Sequence, residues 1–170
     1  MIDVVFYFQV HQPYRLRRLK PSDKIRRLDY WDTPLNKLVV ERVAERCYVP
    51  MNSVLLDAID RTDGKFRCSF SLSGTVIRQL RDWVPAALDS FVALAETGCV
   101  EFLCETSQHG LPSLGCPEEF AEQVEQQRAT VTELFGVPTT FRNTELIMDN
   151  AICRQVEQFG FDCMLGEGAD

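Results

Sequence analysis

Five short apolar runs punctuate the chain, at residues 4–10, 66–72, 99–104, 139–145 and 161–166. Between them lie longer stretches in which apolar residues recur at helical spacing. The first run, Val4-Val5-Phe6-Tyr7-Phe8-Gln9-Val10, is rich in β-branched and aromatic residues and reads as a strand. The runs look apolar on both faces rather than alternating, which predicts strands of a parallel sheet covered on both sides. Leu35, Leu38, Val39, Val43 and Cys47 share one helical face behind Pro34, and Pro50 is expected to interrupt that helix before a second one over 51–59. Residues 75–97 predict two helical pieces, with Pro85 opening the second and Gly98 ending it. Pro117 opens a helix whose face is Phe120, Val124, Val131 and Leu134, stopped by Gly136, and a shorter helix over 151–159 ends at Gly160. The order β-α-β-α-β-α-β-α-β predicts an α/β fold built on a parallel sheet or barrel, with no internal repeat and no linker.

In such folds the chemistry gathers at the carboxyl ends of the strands. The first strand ends in His11-Gln12-Pro13, the second in Ser71-Leu72-Ser73-Gly74, the third in Glu105-Thr106 with His109 shortly after, and the fourth in Arg142-Asn143-Thr144-Glu145. Both histidines of the chain therefore fall on one predicted rim. No Gly-x-Ser-x-Gly nucleophile turn and no phosphate-binding glycine motif is present. A carboxylate beside Arg, Asn, Thr and two imidazoles suits a substrate with many hydroxyls, with Glu145 as nucleophile or acid/base. His11, His109 and a carboxylate also suggest a hydrolytic metal site, but no HxH or HxxxH spacing supports one, and no metal or cofactor is expected.

Composition narrows the partners. The 170 residues are 45% hydrophobic and 25% charged, as expected of one globular domain with a sizeable core or of part of a larger one. Eighteen Lys+Arg against 25 Asp+Glu give a net charge of −7, which argues against nucleic acid or an anionic membrane as the partner. A local exception is the stretch 15–27, with Arg15, Arg17, Arg18, Lys20, Lys24, Arg26 and Arg27 against Asp23, expected to be a solvated connection. No run is long enough to span a bilayer and no secretory signal opens the chain, so the expected compartment is the cytoplasm. Seven cysteines without a CxxC pair predict mostly small buried thiols rather than a disulfide framework.

The rim motifs also carry a resemblance. His11-Gln12-Pro13-Tyr14-Arg15-Leu16 after a strand resembles the first motif of the family 57 glycoside hydrolases. Residues 100–106 with His109 resemble the second, and Phe141-Arg142-Asn143-Thr144-Glu145-Leu146-Ile147 resembles the third. Residues 47–52 and 70–75 resemble the α-amylase-type branch. The resemblance implies the N-terminal portion of a parallel (β/α)7-type incomplete barrel, with residues 1–170 as part of a catalytic domain that continues further. It implies a retaining enzyme on α-glucans or maltooligosaccharides, with Glu145 as nucleophile and His11, His109, Gln12, Arg142 and Asn143 as substrate-binding residues. Arg142 would keep Glu145 ionised; the alternative role for Glu145 is a salt bridge with Arg142. Glu101 and Glu105 are weaker candidates that would orient neighbours or satisfy the barrel interior. The family's acid/base aspartate is expected beyond residue 170, so the chain alone is expected to be inactive and marginally stable or self-associating. A 4-α-glucanotransferase or branching enzyme of the same family is the nearest alternative. More distant ones are a metal-dependent polysaccharide deacetylase and a non-catalytic carbohydrate-binding fragment using Tyr14, Tyr30 and Trp31.

Overall fold

The computed structural model describes residues 4–20 and 30–168. It contains five strands: β1 (Phe6–Val10), β2 (Cys68–Leu72), β3 (Val100–Leu103), β4 (Thr140–Arg142) and β5 (Cys163–Leu165). All the ladders are parallel, β1 beside β2 beside β3 and β4 beside β5. A parallel bridge between Cys104 and Phe141 joins the two groups, with the Cys104 N–H donating to the Thr140 carbonyl and the Arg142 N–H to that of Cys104. The strands therefore follow one another around a single curved sheet in sequence order. That is an α/β segment of an incomplete parallel barrel, as the sequence led us to expect.

The expected double-sided apolar character does not hold. Phe70 aligns with Phe8 and Phe102 on the helix-covered face, where Phe70 stacks on Phe102 at 5.8 Å. Tyr7, Gln9, Ser69, Ser71, Glu101 and Arg142 lie on the other face, because successive side chains alternate along a strand. One face packs into a core with Val76, Leu80, Phe91 and Leu94, while the other turns polar groups towards the barrel interior. A second cluster of Cys104, Phe120, Val124, Phe141, Ile152 and Val156 covers β4 and β5.

The helices are α1 (Thr33–Val43), α2 (Val49–Arg61), α3 (Gly74–Trp83), α4 (Pro85–Glu96), α5 (Pro117–Phe135) and α6 (Asn150–Gln158). Asp32 caps α1 through Leu35 N–H, and Asp149 caps α6 through the N–H groups of Ala151 and Ile152. Gly98, Gly136 and Gly160 all take positive φ where their helices end. Pro50 does not interrupt the helical path. Between α1 and α2 the chain makes a π turn, Ala44–Tyr48, in which Val49 N–H reaches back to the Ala44 carbonyl. The wider turn carries the path into α2, with Pro50 in that helix's first turn, where a missing N–H is tolerated.

Two further expectations change. Cys68, Cys99 and Cys104 are buried, but Cys47, Cys116 and Cys163 are exposed. Cys153 is half-buried, so four of the seven thiols are not core residues. In the basic stretch, Arg15 is engaged with its own loop, donating to the Pro13 carbonyl and Gln12 Oε1. Residues 21–29, with Lys24, Arg26 and Arg27, lie outside the described residues.

Candidate active site

The rim is assembled by backbone anchors that strand and helix patterns alone do not reveal. Gln79 on α3 donates from Nε2 to the Gln12 carbonyl at 2.7 Å, and Gln127 on α5 donates to the Leu72 carbonyl at 2.6 Å. Both side chains are fully buried, so each fixes a strand end through a hydrogen bond shielded from water. Asn36, also buried, brackets Arg15 by accepting from its N–H and donating to its carbonyl. Ser73 caps α3 and places its hydroxyl 2.7 Å from His11 Nδ1, with Thr75 Oγ1 at 3.3 Å. A Cβ on Gly74 would fall 2.7 Å from the Ser107 carbonyl oxygen, so only glycine lets the two loops approach this closely.

The two histidines meet. Their rings stack with centroids 4.1 Å apart, although β1 and the loop after β3 are far separated in sequence. Burial holds the His11 pKa down at about 4, and the neighbouring His109 pushes it the same way. His109 Nδ1 lies 2.9 Å from Glu105 Oε2, while its Nε2 lies 3.1 Å from Gln9 Nε2 and 3.9 Å from Glu145 Oε1. Beneath them Arg142 Nη1 sits 3.7 Å from Glu105 Oε2. Tyr7, hydrogen-bonded to Ser71 at 2.6 Å, completes the interior, and burial raises its pKa.

Glu145 is the exposed carboxylate of the rim, its side chain 71% accessible. It occupies a short 3-10 turn, Thr144–Leu146, with φ 55° and ψ 19°, and Leu146 follows at φ 59°. Successive non-glycine residues in the left-handed region store strain that must be held from outside. Two side chains do this. Asn143 Nδ2 donates to the Ile147 carbonyl at 2.9 Å and to Ser113 Oγ at 3.0 Å, and Thr144 Oγ1 meets Thr106 Oγ1 at 3.0 Å.

Among the residues singled out from sequence, the fold thus brings His11, His109 and Glu145 together. Arg142 and Asn143 are buried beneath them, and Gln12 turns to Tyr48 and Arg15. Arg142 pairs with Glu105 rather than with Glu145, because strand alternation turns it into the interior; no ion pair joins Arg142 to Glu145 among the described residues. The sequence reading places Ser73 on the rim without a role and does not single out Gln9 or Thr75. The alternation of β1 could have marked Gln9, but nothing local marks the other two as neighbours of His11. Beside the stacked rings opens a cavity of about 390 Å³ lined by Tyr14, Trp31, Thr75, Arg78 and Gln108 together with His11 and His109. Tyr14 and Trp31 pack at 5.4 Å on its wall. The cavity is of the size that takes small ligands, and it combines aromatic faces with polar groups. A second cavity of about 370 Å³ lies at the opposite strand ends, by Val4, Val5 and Arg67, away from these residues.

Comparison with known proteins gives this geometry a context. Residues 5–170 match the sequence model of glycosyl hydrolase family 57. The chain is 38% identical to a protein of Methanocaldococcus jannaschii named "Putative alpha-amylase", over 98% of this chain and 36% of that protein. It thus spans about a third of its curated relative's length. In structure it superposes on a 4-α-glucanotransferase from Thermococcus litoralis with a TM-score of 0.72 and 16% identity, covering 94% of this chain and 21% of that one. A branching enzyme of the same family from Thermococcus kodakaraensis superposes with a TM-score of 0.63 and 15% identity, covering 94% of this chain and 39% of that one. At those identities the two structures establish the shared fold.

Proposed function

The chain belongs to glycosyl hydrolase family 57, and on that premise we propose that residues 1–170 form the N-terminal part of the catalytic barrel of a retaining enzyme acting on α-glucans. Glu145 is the nucleophile. The observation that carries this reading is the placement of its exposed carboxylate on a strained turn at the strand ends, 3.9 Å from His109 Nε2. Its carboxylate attacks the anomeric carbon as the glycosidic C–O bond breaks, giving a glycosyl ester and a leaving oxygen that takes up a proton. Water, or the hydroxyl of a second sugar, then attacks the ester. His11 and His109 contact hydroxyls of the sugar being cleaved, where hydrogen bonds strengthen as the transition state develops charge. Gln12 and Asn143 serve from behind, by fixing the loops that hold those groups, and Arg142 by its charge opposite Glu105.

A retaining mechanism needs a second carboxyl group about 5–5.5 Å from the first. On this rim the other carboxylate, Glu105, is fully buried and engaged with His109 and Arg142. The acid/base that the family resemblance implies is an aspartate outside these 170 residues, and on that reading the chain alone is inactive. General acid catalysis contributes typically 10²–10⁴-fold. Robust hydrolysis of maltooligosaccharide by the purified chain would overturn that part of the reading.

The nucleophile is tested in a protein carrying the complete barrel. Glu145→Gln should lower kcat by at least ~10³-fold with glucan binding kept. A slow fluorinated glycosyl donor should add one glycosyl unit to the peptide containing Glu145. Labelling of a different carboxylate would sink the assignment. Hydrolysis and transfer are separated by products: hydrolysis raises reducing ends, whereas a glucanotransferase or branching enzyme redistributes chain lengths.

A further inference from the structure

Among the described residues, Glu105 and Arg142 are the only buried acid and the only buried base. Isolated buried charges are expensive, so a carboxylate with no exposed surface has to be held by the groups around it. Arg142 Nη1 at 3.7 Å supplies the opposite charge, and His109 Nδ1 at 2.9 Å makes the hydrogen bond. An ionised carboxylate only accepts, so the shared proton belongs to Nδ1. The other ring nitrogen of the neutral imidazole then carries a lone pair. Gln9 Nε2, 3.1 Å away, is a donor suited to meet it. Two further features hold the ring in place: it stacks on His11, and its residue sits at φ 53°, a left-handed conformation that non-glycine residues keep only when their surroundings impose it.

We propose that Glu105 is a positioning residue that locks His109 as the Nδ1–H tautomer, so that Nε2 stands at the rim as a hydrogen-bond acceptor for a hydroxyl donor. Arg142 is the opposite charge beside Glu105. That the incoming donor is a sugar hydroxyl, replacing the Gln9 amide, rests on the function proposed above; the tautomer itself does not.

Nitrogen-15 NMR of the imidazoles in the 170-residue chain tests this directly, because only His11 and His109 contribute. At neutral pH, His109 should show a protonated, pyrrole-type Nδ1 and a bare, pyridine-type Nε2. In the charge-balanced double variant Glu105→Met with Arg142→Met, the two nitrogens should exchange character while His11 keeps its signals. A protonated Nε2 on His109 in the native chain overturns the proposal, and so does an unchanged tautomer in a folded double variant. Should that variant fail to fold, the native spectrum alone still decides. Failure of the Glu145→Gln experiment with the Nδ1–H tautomer intact would refute the nucleophile assignment and leave this inference standing.

Discussion

The imidazole of His11 lies on that of His109, ring centroids 4.1 Å apart and planes 24° from parallel. Two rings this close cannot both take up a proton without mutual repulsion. His11, half-buried and hydroxyl-bonded, is kept neutral, with its pKa held at about 4 by burial first and by His109 second.

Stability should therefore fall in acid. In the unfolded chain His11 protonates near its ordinary value of 6.5, whereas in the fold it stays neutral to about 4. The unfolded state binds the extra proton between those values, so the contribution is full above pH 6.5 and is lost progressively as pH falls towards 4. Urea midpoints measured across that window should decline more steeply for the native chain than for His11→Gln. Parallel slopes would show that His11 is not the group responsible.

Gly74→Ala should destabilise the chain by about 1–3 kcal/mol. The new methyl meets the Ser107 carbonyl oxygen at 2.7 Å and Gln127 Oε1 at 2.8 Å, so α3 and the loop carrying His109 must separate. Denaturant unfolding measures the loss. A midpoint equal to the native one would mean the two loops move apart freely.

At Glu145 the order of substitutions should invert the usual helix scale. With φ at 55°, glycine fits and alanine remains strained, so Glu145→Gly should be more stable than Glu145→Ala by about 1 kcal/mol. Thermal unfolding of the pair checks this. Equal stabilities would show that the turn relaxes once the carboxylate is gone.

The thiols should divide by burial. Cys47, Cys116 and Cys163 should alkylate rapidly in the native chain, while Cys68 and Cys104 should react only on unfolding. Burial, reinforced by Cys99, pushes the Cys68 thiol up to about 11, and burial raises that of Cys104 as well, so neither supplies thiolate at neutral pH. Peptide mass mapping after a short iodoacetamide pulse reads the pattern, and early modification of Cys104 would contradict the packing around Phe120 and Val124.

Much of the scaffold was legible locally. The five apolar runs became β1 to β5, and Pro85, Gly98, Pro117, Gly136 and Gly160 mark helix boundaries because their backbone preferences act on their immediate neighbours. Misreadings arose where one residue answers to two influences. Ser69, Ser71 and Glu101 sit inside runs that look uniformly apolar when counted by composition, yet strand alternation sends them all to one face. Pro50 looks like a break until the π turn before it is known.

What the sequence by itself determined is the order of elements, the rim on which His11, His109 and Glu145 fall, and through its motifs the family. Those follow from short-range preferences and from the rule that parallel strands present their carboxyl ends on one side. Only the tertiary structure decided which rim residues touch. It turned Arg142 inward to Glu105 instead of Glu145, stacked His11 on His109, and held the loops with the buried amides of Gln79 and Gln127. Such pairings depend on the direction of side chains brought together from separate strands, and no pattern along one stretch of chain contains that direction.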